Sequence, residues 1–303
     1  MKMTVSVASG APRANRSIGA ILMDSGALTP ENAERILLLQ KEQGLRFGDA
    51  AIRLGLLTEA DIQFALSRQF SYAYLRTVGV DKTLSDELVA AYQPFSPRVE
   101  QLRAIRSQLM LRWFDKSEER QVLTVVGTER GEGRSYLAAN LAVVFSQLGE
   151  RTLLVDADLR RPRQHELFML PNKVGLSTVL SGRARDEAII RITDLAGLYV
   201  LPAGPVPPNP LELLGRLNFD EFLIHVRATF DVVIIDTPAL STGEDAAMIA
   251  VRTGAALAVA RTGQTRVANF NDTVQGLMHA GVAVVGSVLN EVPGKKKKKK
   301  DKQ

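Results

Sequence analysis

The sequence predicts an α/β fold, a mostly parallel sheet flanked by helices and preceded by a small helical domain. Three observations carry that reading. An apolar run, Thr124, Val125 and Val126, enters a glycine-rich turn that ends in Arg134 and Ser135 at the head of a helical pattern. Two further apolar runs, 152–155 and 232–235, end in the acids Asp156 and Asp236, and continuous apolar runs bounded by turns suit parallel strands covered on both faces. The front of the chain carries two copies of one 24-residue unit, 17–40 and 46–69.

Composition bounds the function classes. At 303 residues and 46% hydrophobic content, one moderate and one small domain are expected. There are no cysteines, which excludes a disulfide framework and thiol chemistry. The histidines, His165, His225 and His279, are too far apart in sequence to suggest a metal-ligand cluster. No apolar run approaches the roughly 18–20 residues that cross a bilayer, and the N-terminus lacks a secretory core, so the chain is expected to be cytoplasmic. Residues 1–15, small and polar, are expected to be disordered.

The helical domain, 16–74, follows from the repeat. Aligning the copies pairs Gly19 with Gly48, Gly26 with Gly55, Leu28 with Leu57, Thr29 with Thr58, Leu37 with Leu66 and Gln40 with Gln69. Each copy reads as a short helix, a glycine stop and a second helix capped by threonine, with Pro30 at the first helical position. Ala33, Ile36 and Leu37 in one copy, and Ile62, Ala65 and Leu66 in the other, give each second helix a buried face. Neither copy is large enough to fold alone. The tandem resembles the MshEN-type domain at the front of type II secretion and pilus ATPases, some of which bind cyclic di-GMP through two such motifs. That resemblance implies Arg16, Gly26, Gln40, Arg46, Gly48, Gly55 and Gln69 as ligand contacts, an arginine binding guanine or phosphate bidentately. The first copy departs from the pattern, with Ser17 in the arginine position and Arg16 displaced by one.

Residues 75–93 read as a linker carrying one amphipathic piece from Leu84 to Tyr92, and the α/β domain is expected over 94–292. Pro94 and Pro97 precede a helix containing Glu100, Arg103 and Arg106. The loop after the first strand reads Gly127-Thr-Glu-Arg-Gly131-Glu132-Gly133-Arg134-Ser135, almost a P-loop. Gly131 and Gly133 allow positive φ and close approach of backbone to a phosphate. The following helix, expected over 136–148, directs its free amides and positive dipole end at that anion. Ser135 stands where a P-loop hydroxyl ligates Mg²⁺. A dinucleotide Gly-x-Gly-x-x-Gly reading fails because Tyr136 holds the third glycine's place. Asp156, Asp158 and Asp236 at strand ends face the crevice where open α/β sheets bind ligands, placed to hold the ion and to orient an attacking hydroxyl. Runs 255–260 and 282–289 read as later strands of the sheet, closing on Asn290.

These segments, with Leu-Leu-Val-Asp156-Ala-Asp158-Leu-Arg-Arg-Pro, Ile-Ile-Asp236-Thr-Pro and the run 201–210, resemble the bacterial tyrosine kinases of capsule and exopolysaccharide synthesis. Those are P-loop NTPases related to the MinD/ParA ATPases, and the likeness covers 94–290, nearest to the EpsG-type chain-length-determinant tyrosine kinases. It implies an ATP site of Gly131, Glu132, Gly133, Arg134, Ser135, Tyr136 and Asn290, with Asn290 at the adenine. It further implies Mg²⁺ on Ser135, Asp156 and Asp236, and catalytic roles for Arg134, Asp156, Asp158 and Asp236. Glu100, Arg103 and Arg106 match the family's Glu-x-x-Arg-x-x-Arg helix of subunit association, which implies a homo-oligomer. The implied activity is protein-tyrosine phosphorylation with ATP and Mg²⁺, controlling polysaccharide chain length beside an inner-membrane co-polymerase. MinD/ParA ATPases carry a second lysine five residues before the loop's basic residue; here that position is Glu129.

Two departures keep a second reading open, a nucleotide-dependent assembly switch without kinase activity. Arg134 replaces the P-loop lysine, an exchange of a point charge for a planar fork. Tyrosines occur only at 72, 74, 92, 136 and 199, so no terminal tyrosine cluster exists. The tail, 293–303, holds Lys295 to Lys300 and Lys302 against Asp301; it supplies +6 of a net charge of +5, leaving −1 for the rest. Such a run either stays solvated or approaches an anionic leaflet, and a location peripheral to the inner membrane is what the resemblance implies. No aromatic residues interleave with the lysines, so nucleic acid is not expected among the partners.

Overall fold

The computed structural model describes residues 17–69, 83–114 and 121–291. Arg16, Tyr72, Tyr74, the expected disordered front and the lysine tail lie outside them. The chain divides into two compact units, separated after residue 80.

The front unit has the predicted repeat. Helices α1 (Ile18–Asp24) and α2 (Pro30–Gln43) form one copy, α3 (Phe47–Arg53) and α4 (Glu59–Gln69) the other. Gly26 and Gly55 end α1 and α3 with φ of 71° and 67°. Thr29 caps α2 by accepting from the Asn32 amide, and the Thr58 hydroxyl does the same for Asp61. The copies interlock: α1 packs on α4 and α2 on α3. Their shared core is built from equivalent positions, Leu22 with Ala51, Leu28 with Leu57, Ala33 with Ile62 and Ile36 with Ala65. Leu37 departs from expectation at 54% exposure. The buried stripe of α2 runs through Ala33, Ile36 and Leu39, three residues apart, and passes it by.

The second unit is a seven-stranded sheet in the order β3-β4-β2-β5-β1-β6-β7. Its strands are β1 (Val122–Gly127), β2 (Thr152–Asp156), β3 (Ile190–Arg191), β4 (Leu198–Leu201), β5 (Val232–Asp236), β6 (Ala255–Arg261) and β7 (Ala283–Asn290). All pair in parallel except β3, which runs antiparallel to β4 at one edge. Strands β1, β2 and β5 are wholly buried, as continuous apolar runs require. Helix α7 (Arg134–Ser146) begins at Arg134, two residues before the predicted start. It is buried from Leu137 to its end because the sheet covers one side and helices α5 (Val89–Tyr92) and α6 (Pro97–Arg112) the other.

That packing corrects the linker expected over 75–93. Its second half belongs to the α/β unit, with Leu84, Leu88 and all of α5 buried. Asn140 of α7 receives the Ala90 amide at 3.0 Å and donates to the Glu87 carbonyl at 2.9 Å. Gln147 donates to the Ala90 carbonyl. Helix α5 is buried throughout, while Asp86, Glu87 and Gln93 on either side of it are exposed. Helices α8 (Gln164–Leu167), α9 (Leu176–Leu180), α10 (Pro210–Leu214), α11 (Leu217–Thr229), α12 (Asp245–Thr253) and α13 (Val267–His279) complete the unit. No helix among the described residues is long and apolar enough to cross a membrane.

Candidate phosphate-binding site

The site lies at the carboxyl ends of β1, β2 and β5. In the register of the sheet Asp156 on β2 stands directly beside Asp236 on β5, and Asp236 beside Val125 of β1. The loop between β1 and α7 crosses above them. Gly131 and Gly133 adopt φ of 80° and 94°, and a side chain on Gly133 would collide with the Asn290 amide. The loop's carbonyls are held from outside. Arg261 donates to Gly131 at 2.8 Å, Gln264 to Arg130, and Asn290 to Glu132 at 2.9 Å. The Glu132 side chain is fully buried, turned inward to the Thr265 hydroxyl, with its second oxygen unpartnered. The Glu132 carboxylate is thus directed away from the cavity, and Glu132 is not among the residues that line it. Fixing these carbonyls preorganises the loop for an anion at the N-terminus of α7.

Arg134 does not project freely into the cavity. Only 8% exposed, it reaches across to the Thr237 carbonyl at 2.6 Å. Asp156, expected as a metal ligand, has both of its oxygens engaged by backbone amides. Wholly buried, it accepts the amides of Arg163 (2.9 Å) and Gln164 (2.8 Å) on one oxygen and of Asp158 (3.2 Å) on the other. Both oxygens shape the loop after β2. Burial, and then the neighbouring Asp236, push its carboxyl well above the usual range.

Gln164 is the residue the sequence did not disclose. Fully buried, it donates to the Ser135 carbonyl at 3.1 Å and to Asp236 at 2.8 Å, while its amide caps Asp156. The only hint was a neutral amide ending a run of arginines. Burial raises Asp236 to about 6 against the relief given by Arg134, Gln164 and Ser135. Asp158 is raised to about 6 by the same desolvation, opposed by Arg134. Its carboxylate receives the amides of Arg160 and Arg161 and faces the cavity.

That cavity measures about 600 Å³ and is lined by Ser135, Asp158 and six arginines, at 130, 134, 160, 161, 163 and 261. Arg160 is paired with buried Asp245 and Arg163 with Glu87. A second cleft of about 710 Å³ is lined by Tyr136, Leu137, Leu102, Ile105, Val288 and Asn290 among others. Tyr136 and Asn290 meet there, although the Asn290 amide is spent on the loop. On α6, Arg103 pairs with exposed Glu100, while Arg106 donates to the Val144 carbonyl at 2.6 Å and ties α6 to α7. In the front unit Arg46 heads α3, Gly48 lies within it and Gln40 lies in α2.

The residues fit a magnesium nucleotide. The Oδ1 atom of Asp236 is buried without a partner, and the Ser135 hydroxyl lies beside that carboxylate. Among the described residues no three His, Cys, Asp or Glu side chains cluster as a metal cage. Magnesium needs none, since it is held by one or two protein oxygens, phosphate and water.

No family model matches the chain. It is 36% identical to the tyrosine-protein kinase YwqD of Bacillus subtilis (strain 168) over 205 residues, 67% of this chain and 85% of that protein. It is 34% identical to the tyrosine-protein kinase Etk of Escherichia coli (strain K12) over 211 residues, 70% of this chain and 29% of that one. The chain thus spans less than a third of the length of Etk and of several other curated relatives that it matches. The structure of the Etk kinase domain superimposes with a TM-score of 0.67 at 32% identity, covering 73% of this chain and 86% of that domain. The septum site-determining protein MinD of Pyrococcus horikoshii OT3 shares the fold, with a TM-score of 0.50 at 24% identity over 56% of this chain and 70% of that one. By its P-loop NTPase fold and the extent of its match to YwqD, the chain belongs to the bacterial tyrosine-protein kinase family.

Proposed function

We propose that the chain is an ATP-dependent protein-tyrosine kinase that controls exopolysaccharide chain length beside an inner-membrane co-polymerase. The observation that carries this reading is the convergence of three features. The loop Gly131 to Ser135 brings the Ser135 hydroxyl beside buried Asp236, which keeps an unpartnered oxygen, and Asp158 lines an arginine-rich cavity. The loop amides and arginines bind the triphosphate, and the cleft beside Tyr136 and Leu137 takes the base. Mg²⁺, when bound on Ser135 and Asp236, supplies neutralisation of the phosphate charge. Asp156 and Gln164 hold these ligands in place. The acceptor hydroxyl bonds to the γ-phosphorus, the bridging oxygen leaves with ADP, and Asp158 takes the proton.

Two of the chain's own tyrosines are poor acceptors. Tyr92 is buried with its hydroxyl bonded to the Leu84 backbone, and the Tyr136 hydroxyl is enclosed. The acceptor tyrosine is proposed to lie on another protein. Glu100, Arg103 and Arg106 are assigned to a homo-oligomer, the front unit to cyclic di-GMP through Arg46 and its repeat partners, and the lysine tail to an anionic leaflet. One observation favours a nucleotide-dependent assembly switch instead, the attachment of Arg134 to Thr237 rather than to the loop.

The test mixes purified protein, Mg-ATP and the cytoplasmic segment of the co-polymerase, and measures ADP release and phosphotyrosine by mass spectrometry. Phosphotyrosine on an added acceptor is the expected result. ATP-dependent assembly without phosphotyrosine would sink the kinase reading in favour of the switch.

A further inference from the structure

We propose that Arg134 is a resident counter-ion for the acids of this site, so that the chain binds nucleotide nearly as well without a divalent cation as with one. The inference rests on the nucleotide-site reading above and deepens it. It starts from the path of one side chain. The Arg134 stem runs against Gly127, where an added Cβ would stand 2.8 Å from its Cδ. Its guanidinium then donates to the carbonyl of Thr237, the residue that follows Asp236. Asp236 keeps one buried oxygen without a partner, as the Arg134 Nε lacks an acceptor.

A guanidinium is thus lodged at the end of β5, on the residue next to Asp236, and it lines the same cavity as Asp158. A lysine has a compact charge that must serve either the acids or the phosphates. An arginine carries five donors in a fixed fork, so one edge can stay on the strand end while others meet phosphate oxygens. Around it Arg130, Arg161 and Arg261 add positive charge against a single cavity acid, Asp158. Neutralisation of a polyphosphate, ordinarily shared with the metal, is here supplied largely by protein.

The affinity of full-length protein for ADP and for a non-hydrolysable ATP analogue is measured by calorimetry, in excess Mg²⁺ and in EDTA, for wild type, Arg134→Lys and Arg134→Gln. Removing Mg²⁺ is expected to weaken wild type by less than about threefold and Arg134→Lys by about tenfold or more. Mg²⁺ alone is expected to give no heat with wild type and measurable heat with Arg134→Gln, whose acids have lost their counter-ion. Circular dichroism confirms that each variant is folded, and either variant suffices for the comparison. Wild type losing tenfold in EDTA, or binding Mg²⁺ alone as Arg134→Gln does, overturns the counter-ion role while nucleotide binding stands. Absence of nucleotide binding under every condition overturns the underlying reading instead.

Discussion

Asp158 carries two burdens that a single substitution separates. Its carboxyl, raised from 3.8 to about 6 by desolvation, is ionised at neutral pH yet close enough to it to accept a proton. Phosphoryl transfer is expected to rise with pH through about 6, and Asp158→Asn is expected to abolish transfer while leaving nucleotide affinity within about threefold, as measured by turnover and calorimetry. Stability should move the other way. The folded protein holds this proton more tightly than the unfolded chain, so the carboxyl's contribution is greatest below about 4 and is lost as pH rises to about 6. Asp158→Asn, which keeps the acceptor for the Arg160 and Arg161 amides, should therefore raise the melting temperature at pH 8, by a gain of no more than about 3 kcal/mol. At pH 4 the gain should vanish; a variant equally stabilised at both pH values would show that charge burial is not the cause. Asp156 and Asp236, raised in the same direction, add to the stability the site gives up at neutral pH.

The turn between β6 and α13 acts as an external clamp on the loop. Its Arg261, Gln264 and Thr265 each grip a different loop residue, with Asn290 of β7 completing the set. A single such hydrogen bond is worth about 1 kcal/mol, so Gln264→Ala should weaken nucleotide binding by roughly fivefold with little change in melting temperature. Thr265→Val, which strips buried Glu132 of its hydroxyl partner, should instead destabilise the fold by about 1–3 kcal/mol in denaturant titration. An unchanged affinity for the first and an unchanged midpoint for the second would leave the clamp without energetic weight. Nothing in the sequence marks this turn, whereas the loop it grips was readable residue by residue. Gly131, Gly133, Ser135 and Asp236 announce themselves because their chemistry is local: a turn, a helix start, the end of an apolar strand. The side chains of Gln164 and the inward Glu132 act through partners 29 to 133 positions away, and no periodicity records such pairings. The same limit hid β3, β4 and the true allegiance of 84–93, whose partners Asn140, on α7, and Gln147, just past its end, lie 50 and 57 residues on.

The two units each bury a core of their own, one around Leu22, Ile36 and Ala51, the other around the central strands and α7. Scanning calorimetry of the whole chain should therefore show two transitions, the smaller belonging to the front unit. Ile36→Ala, at a wholly buried position shared by both repeat copies, should lower that transition alone, through a loss of about 2–5 kcal/mol. Because the front unit is built from interlocked copies, the loss should melt both copies together rather than fray one. Nucleotide at a hundredfold excess over its dissociation constant should stabilise only the larger unit, by about 2.7 kcal/mol. The two perturbations thus test the division from opposite sides. A nucleotide shift in both transitions would mean that the site's state reaches the front unit. A single transition moved by Ile36→Ala and by nucleotide alike would mean that two separate cores unfold as one cooperative body, and the division after residue 80 would be one of packing without thermodynamic independence.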